Sequence, residues 1–120
     1  MPKRIQRKRT KGWKMPPNTV YVGRPTPLGN PFQIRMDVAI PPKPEPMWAV
    51  LYEGRILERW NTKALAASQA VERYRLWRKE RNEEYEIRQL LRGKNLACWC
   101  PLDQPCHADV LLEIANAEAA

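Results

Sequence analysis

The sequence predicts an α/β fold: a small single layered domain with a short parallel sheet, flanking helices and a basic N-terminal arm. Three observations predict it. Thr19–Val22 and Asn95–Trp99 are short apolar, β-prone runs, and each is closed by a proline-containing polar loop. A long stretch of helical periodicity lies between them, as a parallel crossover requires. After the second run, Val110, Leu111, Ile114 and Ala115 recur at helical spacing from His107. If the two runs lie side by side, the loops after them meet at one edge of the sheet. Arg24, Asn30, Cys100 and His107 would then share a site.

Each element follows from local sequence. Residues 1–14 carry Lys3, Arg4, Arg7, Lys8, Arg9, Lys11 and Lys14 and no acid, which is +7 of the chain's formal +8. They show no apolar periodicity and read as a basic arm, free to be disordered, ahead of a single α/β domain over 15–120. Such an arm is drawn to phosphate backbones without reading sequence. Trp13, close behind Lys11, can stack on a base or pack on the domain. Thr19–Val22 is the expected first core strand, and Gly23 ends it. The loop Arg24–Phe32 holds three prolines and Gly29, so it is stiff. Arg24 and Asn30 are its candidates for an anion or a base edge. In the competing reading Asn30 caps backbone groups of a structural turn.

Gln33–Ile40 reads as extended and Pro41–Pro46 as a polyproline-like spacer. Val50–Tyr52 fits either a short strand or the opening of a helix that breaks at Gly54. Thr62 to Asn82 reads as a long helix with Thr62 as N-cap. Leu65, Ala66, Val71, Tyr74 and Trp77 form its apolar stripe, and its Arg and Lys face is expected in solvent. Glu84–Leu91 is a second helix with Tyr85, Ile87, Leu90 and Leu91 apolar, closed by Gly93.

Composition narrows the class. The chain's three cysteines lie within 98–106, which is unlike a secreted disulfide framework and suits a reducing compartment. No apolar run is long enough for a membrane span or signal peptide, so no membrane partner is expected.

The cysteine loop carries the chemistry. Alternation along the strand puts Leu96, Cys98 and Cys100 on one face. Cys98 alone reads as a small buried apolar residue, whereas Cys100 sits where the chain leaves the sheet. Three mechanisms stay open. Cys98, Cys100, Cys106 and His107 supply four soft ligands for zinc, although the C-x-C…C-H spacing is unusual. Alternatively Cys100 is a thiolate lowered by the following helix N-terminus, with His107 as acid or base and Asp109 as orienter. In the third reading the thiols are buried structural groups.

These residues also carry a resemblance. Thr10–Pro16, Val20–Pro25, Gly29–Phe32, Arg92–Cys100 and Cys106–Leu111 together resemble domain-of-unknown-function family 4326, small proteins largely of actinobacterial phages and some bacteria. Ala108 departs from the glycine expected after Cys-His. The resemblance implies a phage protein in the host bacterial cytoplasm and implies no activity.

Three functions are therefore expected to compete. The first is a protein that binds or acts on a nucleotide or nucleic acid. Cys100, His107 and Asp109 would be catalytic, and Arg24, Asn30, Lys11 and Trp13 would hold the substrate. The second is a non-catalytic zinc-stabilised nucleic-acid-binding module. The third is a host-takeover module that docks a host protein through Trp13, Trp48, Trp60 and Trp77.

Overall fold

Strand β6 (Asn95–Cys98), where the cysteine run begins, is the centre of a three-stranded parallel sheet in the computed structural model, which describes residues 2–38 and 46–117. Its neighbours are β1 (Arg4–Gln6) and β2 (Thr19–Tyr21), giving the order β1-β6-β2. The register aligns Arg4, Leu96 and Val20, then Gln6 with Cys98 two residues on. The predicted parallel sheet is present. The basic segment, read as an arm with no element of its own, nonetheless contributes an edge strand. Lys3 O accepts from Leu96 N, and Arg7 N donates to Cys98 O at 2.8 Å.

A second sheet was not foreseen. β3 (Phe32–Val38), β4 (Pro46–Tyr52) and β5 (Arg55–Trp60) form an antiparallel meander in sequence order. Val50–Tyr52 is thus strand and not the opening of a helix. Glu53 and Gly54 turn the chain with φ of 50° and 80°, the two left-handed residues of a tight hairpin. Gln33–Val38 is extended as expected. Residues 41–45 of the proposed spacer lie outside the described residues, and Pro46 begins β4.

Helix α1 (Lys63–Arg81) is the wall between the two sheets. Its N-cap is Thr62, whose hydroxyl accepts from Leu65 N at 3.1 Å. Ala66 and Ala70 pack on Val50 with Phe32, Ile34, Trp48 and Trp60 around them. Two alanines one turn apart let the helix approach the sheet closely, and this sets which face turns inward. Leu65 is displaced from that face and is 42 % exposed. Further along, Val71 and Tyr74 enter the main core with Val22, Leu96, Leu111 and Ala115.

Arg78 overturns the expectation of a wholly solvated basic face: it is 2 % exposed, one turn beyond Tyr74 on the inward side. Helix α2 (Glu84–Leu91) is only two turns long and buries Ile87 and Leu91, which leaves Tyr85 and Leu90 in solvent. Gly93, at φ 78°, carries the chain into β6. Helix α3 (His107–Asn116) follows the cysteine loop and inserts Val110, Leu111 and Ala115 into the core.

A candidate metal centre at the end of the central strand

β6 delivers the first two thiols. Cys98 is its last residue and Cys100 lies two positions on, so both sulfurs leave the chain on the same side, 3.6 Å apart. Cys106 is the residue before α3, and its extended backbone (φ −149°, ψ 145°) turns its thiol back toward β6. The three Sγ atoms lie within 4.8 Å of one another. No disulfide joins them, and Cys98 and Cys106 are buried.

The loop between Cys100 and Cys106 is held from outside by β1. Arg4 Nη2 donates to Leu102 O at 2.7 Å and to Pro101 O at 3.4 Å. Asp109, in the first turn of α3, faces Arg4 Nη1 at 3.5 Å.

The other side of the site is the proline-rich loop after β2. Tyr74 Oη donates to Leu28 O at 2.7 Å and accepts from Arg78 Nε at 3.0 Å. Arg78 Nη2 donates to Pro27 O, and Arg78 Nη1 pairs with Glu83 at 3.2 Å. Asn30 donates to Ala70 O at 3.3 Å and accepts from Phe32 N at 2.9 Å. Gly29 is required by close approach: a Cβ there would stand 3.1 Å from Arg24 N. The loop is therefore pinned on α1 by three side chains.

Between loop and thiols is a cleft of about 240 Å³, lined by Arg24, Asn30, Gln33, Cys98, Cys100, Cys106 and His107 among others. Arg24, Asn30, Cys100 and His107 do meet at one edge of the sheet. Their availability differs. Both polar atoms of the Asn30 amide serve the loop, as a turn-capping Asn does. The Arg24 guanidinium makes no hydrogen bond or ion pair among the described residues, so it is the cleft's uncommitted cation.

His107 is 5 % exposed and its Nε2 lies 2.7 Å from Val22 O. A carbonyl only accepts, so Nε2 carries the proton and Nδ1 presents a lone pair. Burial lowers the His107 pKa, against the Val22 hydrogen bond and the nearby Cys98, so the ring is neutral.

The thiols share protons unequally. Hydrogen bonding to Cys100, then to Cys106, pulls the Cys98 pKa far down. Hydrogen bonding to Cys100 and then to Cys98 pushes Cys106 up, and burial adds to this. Cys100 is pulled down by Cys106, but the bond to Cys98, burial and the Cys98 charge together push it up. Three thiols this close titrate as one cluster, so the first proton lost is shared among them. Electron-rich sulfurs at this spacing are what a soft cation neutralises.

A family model described as Domain of unknown function (DUF4326) matches residues 5–117. The chain belongs to this family. No curated protein and no solved structure matches it. The DUF4326 match starts inside β1 and ends after α3, so it takes in both sheets and the whole cysteine loop.

Within this DUF4326 chain the remaining predicted site residues fall elsewhere. Asp109 is not among the residues lining the cleft and pairs with Arg4. Trp13 lines a separate groove, and Lys11 is exposed and lines neither. Sequence reasoning missed Arg4 and Arg78, which hold the two loops of the site. Arg78 did leave a signal: it is one turn from Tyr74, on the stripe itself. No helix among the described residues is long and apolar enough to cross a membrane.

Proposed function

We propose that the protein binds a zinc ion through Cys98, Cys100 and Cys106, and that the cleft beside the ion receives a nucleotide whose phosphate pairs with Arg24. The observation that carries this reading is the mutual approach of the three sulfurs. Two sulfurs on one tetrahedral zinc, each about 2.3 Å from it, lie about 3.8 Å apart. Cys98 and Cys100 stand at 3.6 Å. Three protein ligands leave one tetrahedral position, as in zinc sites that do chemistry. All three cysteines line the cleft, and the uncommitted Arg24 lines it too.

A second reading has its own observation. His107 Nδ1 is 3.7 Å from Cys106 Sγ, and its Nε2–H is already given to a backbone carbonyl. Zinc-ligating histidines characteristically make that second bond. His107 stands outside the group of three mutually close sulfurs. If the ring swings in, the site closes as Cys₃His and becomes structural.

One experiment tests both readings. Protein purified without added zinc is assayed for metal by mass spectrometry and for reactive thiols. Near-stoichiometric zinc with protected thiols is expected, and Ser at any of the three cysteines should release it. Metal-free protein with three freely reacting thiols refutes both. His107→Gln retaining zinc supports the open site, and loss equal to that of a cysteine variant supports the closed one. For the open site, Arg24→Gln should weaken binding of a fluorescent nucleotide about tenfold, the loss expected for a charged hydrogen bond.

A further inference from the structure

The basic segment builds a second groove that shares no lining residue with the cysteine cleft. It has a volume of about 540 Å³ and runs along β1, with Lys3, Arg4, Lys8, Trp13, Pro16 and Pro17 in its walls. β1 is the edge of its sheet. A turn at Thr10–Trp13, closed by Trp13 N to Thr10 O at 3.1 Å, folds the indole back toward that edge.

The seven cations of this segment do different work. Arg4 holds the cysteine loop. Arg7 stacks on Tyr21 and Trp99, and Arg9 on Trp99. Lys3, Lys8, Lys11 and Lys14 are exposed and make no ion pair among the described residues. Arg4 adds charge from below: its side chain is 9 % exposed, and its Nη1, beside Asp109, makes no hydrogen bond.

We propose that this groove binds single-stranded nucleic acid, with Lys3 and Lys8 of its walls and the exposed Lys11 and Lys14 of the same segment on phosphates, and a base stacked on Trp13. The charge pattern suits a polyanion, because no acid occurs in residues 1–14 to answer these lysines. The aromatic wall selects an unpaired base, since a duplex keeps its base faces stacked on one another. Lysines along an open edge also discourage a peptide from adding as a further strand. The proposal stands apart from the metal reading, because no thiol takes part in it.

The test is fluorescence anisotropy with the full chain and a labelled oligothymidylate of about twelve nucleotides, within the span such grooves cover. Four phosphate contacts give a slope of about −2.8 in log K against log salt. Replacing Lys3, Lys8, Lys11 and Lys14 by Gln changes only exposed side chains and should bring the slope near zero. Trp13→Ala should weaken binding about tenfold while keeping most of the slope, and Trp13→Phe should restore much of the loss. Absence of binding overturns the proposal. So does equal affinity for duplex DNA, equal competition by polyglutamate, or a Trp13→Ala variant that binds as the parent does.

Discussion

Arg78 is a buried cation held by three acceptors of different kinds: the Tyr74 hydroxyl, the Pro27 carbonyl and the Glu83 carboxylate. Its plane also stacks on Trp77 at 4.7 Å. A guanidinium suits this place because its donors leave in a fixed fork, which an ammonium cannot copy. Arg78→Ala strands the Pro27 carbonyl of the site's proline loop and the Glu83 carboxylate, and opens a hole under that loop. We expect a loss of about 3 kcal/mol or more, read from urea unfolding. Arg75→Ala removes only exposed pairs and should cost under about 1 kcal/mol. A loss of that smaller size for Arg78→Ala would mean the loop is held by packing alone. At this scale the sequence disclosed which reactive side chains line the cleft but not what supports them. Cysteines, His107 and Arg24 are recognisable by type, whereas in a lysine- and arginine-rich helix the one cue to the inward cation is position, Arg78 standing one turn beyond Tyr74 on the apolar stripe.

The hairpin β4–β5 docks on α1 partly through Arg73, whose guanidinium donates to both oxygens of Glu58 at 3.3 and 3.1 Å. The bond from Arg73 holds the Glu58 carboxyl below its usual pKa, although partial burial opposes it. The unfolded chain then takes up this proton first as pH falls. The pair's contribution is complete above about pH 4.5, the ordinary carboxylate value, and is lost as pH falls through the lowered one. Both partners are partly exposed, so the amount is under about 1 kcal/mol. Glu58→Gln should therefore be less stable than the parent at neutral pH, with a gap that narrows as pH falls below about 4.5 in urea titrations; a constant gap as pH falls would refute the pairing. The hairpin itself was illegible for two physical reasons. Glu53-Gly54 is not among the dipeptides that favour its turn, and in β5 Leu57 points to solvent at 40 % exposure, which spoils the alternation. Thr19–Tyr21, Asn95–Cys98 and α1 were legible because their patterns and caps agree with their burial.

Across the whole molecule, the two loops meet because parallel strands end on the same side, a relation the helical crossover made readable. The third strand was hidden, since Arg-Ile-Gln has no apolar pattern and earns its place only by pairing with β6. Removing residues 2–9 should lower the thermal midpoint and speed zinc loss to a chelator, because the Pro101 and Leu102 carbonyls lose Arg4. Unchanged values would show that β1 is dispensable to the metal site. The strand order also dictates a sequence of events at the ribosome. β1 and β2 do not pair with each other; both wait for a strand made some ninety residues after the first. At about 5–20 residues added per second that is roughly 5–20 s. Throughout it the cationic segment has no sheet to join. Completion of residues 95–98 is therefore the moment at which this segment becomes one wall of a shaped groove.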